Sequence, residues 1–300
     1  MRSSRAVRPF LFCGSVALAA GGVVLYRRPF ETARALVRAR LLLSGVRERF
    51  VEVDGLTVRY LEADPAGGSA NERPLILVHG LGGGAEDWSR VIKALARRRR
   101  VLAPDLPGFW KTPAPPEGMS FSVLVRYLAG FMEAVGVERA SVAGNSLGGA
   151  VAIRLAAQRA ESVGRLFLLD SAGLLQDPPR ALEPHTREEA RELIRLVTGK
   201  VAWTPGFVLD GVIRRAAAPA RRSYLRSAEP TDVRDDLPRL SVPTTIIWGD
   251  RDRLIPSGHG ETLRDAIAGS ELIVLPEVGH VPQTEAPREV VRIIEERLRR

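Results

Sequence analysis

Residues 140–158 read ASVAGNSLGGAVAIRLAAQ, and the change of rhythm inside this stretch decides the fold. Ala140 to Gly144 is a short apolar run, as a strand buried on both faces requires. GGAVAIRLAAQ then reads as a helix. Between them, Gly144-Asn145-Ser146-Leu147-Gly148-Gly149 leaves room only for a sharp strand-to-helix turn. Such a turn forces its central residue into a strained conformation, so its neighbours must be small, and Gly144 and Gly148 meet that demand. Ser146 would stand exposed above the sheet, facing the first N–H groups of a helix whose dipole favours negative charge. A plain turn is the bland alternative, but strand, elbow and helix together favour a nucleophilic serine.

Outward from this elbow the chain alternates short β-rich runs with helical ones. FVEV and LTVRYLE flank Asp54-Gly55, a hairpin signal. LILV at 75–78, VLAPD at 101–105, LFLLD at 166–170, TTIIWG at 244–249 and LIVLP at 272–276 follow, most of them continuously apolar. Helical segments are predicted over 86–97, 122–134, 148–160 and 288–298, which supplies the crossovers of a parallel sheet. The prediction is an α/β fold: a mostly parallel eight-stranded sheet flanked by helices, built from residues 49–172 and 241–300. From 173 to 240 no strand is convincing, and the long interval reads as a helical cap inserted over the sheet.

A serine needs a base, and the chain has four histidines. His280 follows the last strand in LIVLPEVGHVPQTEAP, where Gly279 frees the loop to swing the imidazole over the sheet. His185 falls in the cap and His259 opens a helix, so both read as solvated. His79, closing LILVH, reads as a neutral imidazole bracing neighbouring loops. The acid should end a strand between nucleophile and base. Asp252 is preferred to Asp250 because two further residues of loop let it reach the imidazole, with Asp170 as the fallback. The loop His79-Gly80-Leu81-Gly82-Gly83-Gly84 should supply an oxyanion donor, Leu81 N–H partnering Leu147 N–H, or alternatively Gly82.

The formal charge of +9 suggests nucleic acid until its distribution is read. Residues 1–50 carry ten arginines against Glu31 and Glu48, so eight of the nine net charges lie there. The remaining 250 residues hold no excess that could track phosphates, and nucleic-acid binding is set aside. Cys13 is the single cysteine, which excludes an intrachain disulfide. No metal-ligand cluster or dinucleotide fingerprint is present, and no cofactor is expected.

Phe10 to Tyr26 is an uncharged apolar run between arginine pairs, long enough as a helix to cross a thin hydrocarbon core. Residues 1–30 are read as an uncleaved membrane anchor, placing the protein on a bacterial inner membrane. A signal segment cut near Ala17-Leu18-Ala19, giving a secreted or periplasmic protein, is the alternative. Residues 31–48 read as a basic amphipathic linker helix, with Arg34 and Arg38 one turn apart and facing anionic lipid.

LVHGLGGG with Trp88, APDLPG, GNSLGG, WGDRD and GHVPQTEAP, in that order over nearly all of residues 50–300, resemble the α/β-hydrolase superfamily. Within it the chain is similar to membrane-anchored bacterial esterases and lipases akin to monoacylglycerol lipases, and to carbon–carbon hydrolases of meta-cleavage products, which often share a GNS elbow. The latter usually carry Trp after the catalytic histidine, where this chain has Val281. Haloalkane dehalogenases and epoxide hydrolases need Asp where Ser146 stands. Gly108-Phe109-Trp110-Lys111 departs from the Gly-x-Gly usual in relatives after the DLPG turn, in a loop that borders the pocket across the family. The resemblance implies hydrolysis of carboxylic esters, lipid-like or acylglycerol, through an acyl-enzyme, with Trp203, Phe207, Val208 and Leu209 of the cap as candidate acyl-pocket residues. The rivals are carbon–carbon hydrolysis and a non-catalytic, membrane-tethered binding module on the same fold.

Overall fold

The computed structural model describes residues 28–65, 72–174 and 179–300. The apolar run at 10–26 and its Ala17-Leu18-Ala19 segment lie outside the described residues. Eight strands form one sheet: β1 (Arg47–Val53), β2 (Leu56–Ala63), β3 (Leu75–Val78), β4 (Val101–Pro104), β5 (Ala140–Asn145), β6 (Val163–Leu169), β7 (Thr244–Gly249) and β8 (Glu271–Leu275), in spatial order β1-β2-β4-β3-β5-β6-β7-β8. β1 and β2 pair antiparallel, as do β2 and β4, and every later pair is parallel. The predicted hairpin turns on Asp54 (φ 49°) and Gly55 (φ 76°), the double left-handed pair that matches strand twist.

The apolar strands alternate between two cores. Ile76, Val78, Val142, Leu166, Leu168, Ile246 and Trp248 face one layer, and Leu75, Leu77, Ala143, Phe167, Leu169 and Ile247 the other. This is why β3 and β5 to β7 read as continuous apolar runs: side chains of period two bury on both sides. Each such aliphatic side chain contributes roughly 1.5–3 kcal/mol. The first layer is closed by α3 (Phe121–Ala134) and α4 (Leu147–Gln158), the second by α1 (Pro29–Leu43), α2 (Ile92–Leu95) and α10 (Pro287–Leu298). α8 (Gly258–Ala266) packs on the first layer through Leu263, and α9 (Pro282–Glu285) precedes α10.

The interval 179–240 contains no strand and carries α5 (Arg187–Thr198), α6 (Gly206–Ala216) and α7 (Pro219–Leu225). α5 starts on a capping box, in which Thr186 accepts from the Glu189 N–H while Glu189 accepts from the Thr186 N–H, and it stops at left-handed Gly199.

Two expectations change. The helix predicted over 86–97 is instead a 3-10 turn (Ala85–Trp88) followed by the single-turn α2. Glu86 is drawn inward to the buried Arg59 (2.5 Å), and the Ala85 N–H donates to Asp105 Oδ1 (2.7 Å), which breaks the helical path. The basic helix expected over 31–48 runs from Pro29 to Leu43, and two of its arginines pair within the protein. Arg34 is buried, pairs with Asp87 at 2.6 Å and lies over the Trp110 ring, while Arg38 meets Glu48 at 3.3 Å. Arg34 is thus turned into the protein, while Arg38 is about a third exposed. Among the described residues no helix is long and apolar enough to cross a membrane.

Candidate active site

Ser146 stands between β5 and α4 at φ 56°, ψ −122°, the strained backbone that the glycine pattern implied. A Cβ on Gly144 would overlap the Gly148 carbonyl, and one on Gly148 would overlap the Val78 carbonyl. The elbow therefore closes only with glycine at both positions. Ser146 lines a cavity of about 440 Å³ together with Leu81, Leu147 and His280.

His280 and Asp252 form a buried pair, each about 5% exposed, with Nδ1 and Oδ2 2.6 Å apart. Asp252 is fixed from behind by the Leu254 and Ile255 N–H groups, both donating to Oδ1 at 2.8 and 2.9 Å. With the carboxylate accepting from Nδ1–H, the imidazole is the tautomer whose Nε2 is free to accept a proton. Asp250 is exposed on the same loop and takes no part in the pair.

The oxyanion loop makes a tight turn. The Gly83 N–H donates to the Gly80 carbonyl at 2.9 Å, and Gly82 occupies φ 70°, the third position of a type II turn that demands glycine. Leu81 and Leu147 both line the cavity, and Leu147, first residue of α4, has no intrahelical acceptor for its N–H. Gly82 does not line the cavity, and its carbonyl is held by Arg215 Nε at 2.9 Å. This geometry favours Leu81 over Gly82 as the partner of Leu147.

His79 is fully buried. The Leu106 N–H donates to its Nε2 at 2.9 Å, and its Nδ1 lies 2.8 Å from the Gly80 carbonyl. Burial pushes its pKa down to about 4, so it is a neutral brace that ties the oxyanion loop to the loop after β4. His185 is exposed, and His259 is half-buried on α8, away from the cavity lining.

Three features escaped the sequence. Asn145 is buried and clamps the base loop: Nδ2 donates to the Leu169 and His280 carbonyls, both at 3.0 Å, and Oδ1 accepts from Gln283 Nε2 at 3.1 Å. An asparagine preceding the nucleophile carried a hint of this, but its partners lie 24 and 135 residues away. Second, α5 ends against the site. The Val197 carbonyl accepts from the His280 N–H (2.7 Å) and the Leu196 carbonyl from the Arg253 N–H (3.1 Å), so orphan carbonyls of the helix terminus are satisfied by the loops carrying His280 and Asp252. Third, the residues that line the cavity differ from those expected of the cap. Trp203 is 88% exposed, Leu209 is buried elsewhere, and neither they nor Phe207 and Val208 line the cavity. Leu182 of the 3-10 turn Arg180–Leu182, Leu193 and Val197 of α5, and Tyr224 and Leu225 of α7 do, whereas no residue of α6 lines it. The Gly108-Lys111 loop is likewise absent from the lining. Phe109 packs edge-on to His79, Trp110 lies under Arg34, and Lys111 pairs with Glu48.

The sequence profile of the alpha/beta hydrolase family matches residues 75–293, spanning both halves of the site. The chain belongs to that family. Among curated proteins it is similar to 2-hydroxy-6-oxo-6-(2'-aminophenyl)hexa-2,4-dienoic acid hydrolase of Metapseudomonas resinovorans, 31% identical over 268 residues, covering 81% of this chain and 87% of the relative. It is also similar to Lipase 3 of Moraxella sp. (strain TA144), 27% identical over 266 residues, covering 80% and 82%. Among solved structures, a membrane phospholipase A described as a bacterial virulence factor superposes with a TM-score of 0.78 at 30% identity, covering 98% of this chain and 99% of that one. The relatives thus include a dienoic acid hydrolase, a lipase and a phospholipase, and also the acetyltransferase component of the acetoin cleaving system of Pseudomonas putida, 30% identical over 253 residues, covering 80% of this chain and 66% of the relative.

Proposed function

We propose that this alpha/beta hydrolase is a serine esterase or lipase that cleaves carboxylic esters with lipid-like acyl groups through an acyl-enzyme. Ser146 Oγ attacks the ester carbonyl as its proton passes to His280 Nε2, and Asp252 holds the imidazole and the charge it acquires. The Leu81 and Leu147 N–H groups receive the oxyanion, each such donor being worth on the order of 2.7–4 kcal/mol in the transition state. The alcohol leaves with the proton from His280, and water, activated by the same base, releases the acid and restores Ser146.

The observation that carries this reading is the convergence of the strained serine and the buried Asp252–His280 pair on one cavity walled by Leu182, Leu193, Val197, Leu225 and Leu254. The apolar run at 10–26 and the likeness to a membrane phospholipase A over nearly the whole chain support a substrate drawn from lipid and an N-terminal membrane tether.

A second reading, carbon–carbon hydrolysis of a dienoic acid, is favoured by Arg221. This buried cation lines the cavity and donates to the Leu182 and Ala216 carbonyls at 2.5 and 3.0 Å, with no carboxylate partner among the described residues. Profiling p-nitrophenyl esters of increasing acyl length beside 2-hydroxy-6-oxo-dienoates separates the two. Ester turnover that rises with acyl length and vanishes in Ser146→Ala supports the esterase, and turnover of the dienoate alone replaces it.

A further inference from the structure

Asp170, one residue past β6, is unused by this mechanism and is an unusual carboxyl group. It is fully buried and holds a left-handed backbone (φ 43°), a conformation that a non-glycine residue keeps only where its surroundings enforce it. Its Oδ1 accepts from the Gly249 N–H at 3.0 Å, while its Oδ2 is buried without a partner. One ligand atom from each of Asp170, Asp252 and His280 falls within 4.8 Å of the other two. Two carboxyl groups thus share one dry site beside a single imidazole.

Two buried carboxylates at such range cannot both be ionised, so one proton must reside on the pair. The donor count says where. Asp252 receives three hydrogens, from Leu254 N–H, Ile255 N–H and His280, as a carboxylate requires. Asp170 receives one and is left with an oxygen that finds nothing to accept. That oxygen is satisfied if it carries the hydrogen itself.

We propose that Asp170 is a neutral carboxylic acid that donates a hydrogen bond to the Asp252 carboxylate, making it a positioning residue that fixes the acid beside His280. The inference rests on the reading of Asp252 as the triad acid. Burial and the charge of Asp252 both push the Asp170 carboxyl well above the usual carboxylate range, and the negative charge of Glu285 acts in the same direction. The proton stays on the carboxyl pair during turnover, since the proton taken from Ser146 passes through His280 to the leaving alcohol and never reaches Asp252.

Asp170→Asn keeps an acceptor for Gly249 N–H and places an N–H donor where the acid O–H stood. Its kcat/KM for a p-nitrophenyl ester should stay within about threefold of wild type, with the acid limb of the pH profile unmoved. Asp170→Ala removes the donor, so kcat should fall about tenfold and the acid limb should move upward, because an unshared Asp252 charge holds the imidazolium more tightly. Infrared difference spectra, which need no turnover, should show a buried protonated carboxyl band in wild type that Asp170→Asn abolishes. A missing band, or an acid limb that moves downward in Asp170→Asn, would mean that an ionised Asp170 had been neutralised and would overturn the proposal. If Asp252→Asn leaves ester turnover intact, the reading of Asp252 as the acid fails instead, whatever the band shows.

Discussion

Replacing Asn145 with alanine probes how the base loop is held. The side chain makes three buried hydrogen bonds, to the Leu169 carbonyl, the His280 carbonyl and Gln283 Nε2. At about 1 kcal/mol net for each, Asn145→Ala should cost on the order of 3 kcal/mol of stability, because the stranded partners stay buried. For a domain of this size that corresponds to a drop of roughly 6–12 °C in Tm. The kinetic effect should be the larger one. The His280 main chain would keep the Val197 contact but lose its tie to the end of β5, and a shift of about 1 Å in a catalytic group costs on the order of a hundredfold. Chemical denaturation and p-nitrophenyl ester kinetics on the same preparation read both, with kcat falling and KM little changed. A variant that loses stability but keeps wild-type kcat would show that Val197 and Asp252 alone position the base, and would refute this reasoning.

Three further outcomes follow from the interior. Arg59 is fully buried against Glu48 (2.8 Å), Glu86 (2.5 Å) and Asp105 (3.0 Å), so Arg59→Met should destabilise by about 3–5 kcal/mol in urea denaturation by stranding acidic groups. His79 titrates near 4 when folded against an ordinary 6.5. Unfolded chain therefore takes up the proton first as pH falls, and stability present above pH 6.5 should decline by about 3 kcal/mol on approaching pH 4. His79→Gln should flatten that decline in denaturation curves taken across the window. Gly148→Ala should yield little folded protein by circular dichroism and gel filtration, since a Cβ there collides with the Val78 carbonyl, whereas Gly258→Ala, where a Cβ meets nothing within 4 Å, should fold normally.

The sheet was legible because both faces of β3 and β5 to β7 are buried, which writes the strands as apolar runs that short-range pattern detects. The elbow was legible because glycine at 144 and 148 is a steric necessity. Asp252 could be told from Asp250 by loop reach, and the pair at 2.6 Å realises that reach. The segment at 86–97 misled because its helical composition yields to one long-range demand, the burial of Glu86 against Arg59. Arg34 misled in the same way: spacing shows that two arginines share a helical face, but not that Asp87 and Trp110 wait across from one of them. The cavity wall was illegible for a related reason. α5 and α6 are both amphipathic, and only tertiary placement decides which apolar face reaches the cavity of Ser146.

In the proposed mechanism Ser146 is a nucleophile activated by His280 and Asp252. Treating the full chain with a fluorophosphonate and locating the adduct by mass spectrometry, alongside Ser146→Ala and His280→Ala, tests it most directly. The account predicts one stoichiometric adduct on the peptide carrying Ser146, absent in Ser146→Ala and formed at least a thousandfold more slowly in His280→Ala, on the order of the loss when a triad member is removed. Absence of labelling in the folded wild-type protein, or undiminished labelling in Ser146→Ala, would contradict it.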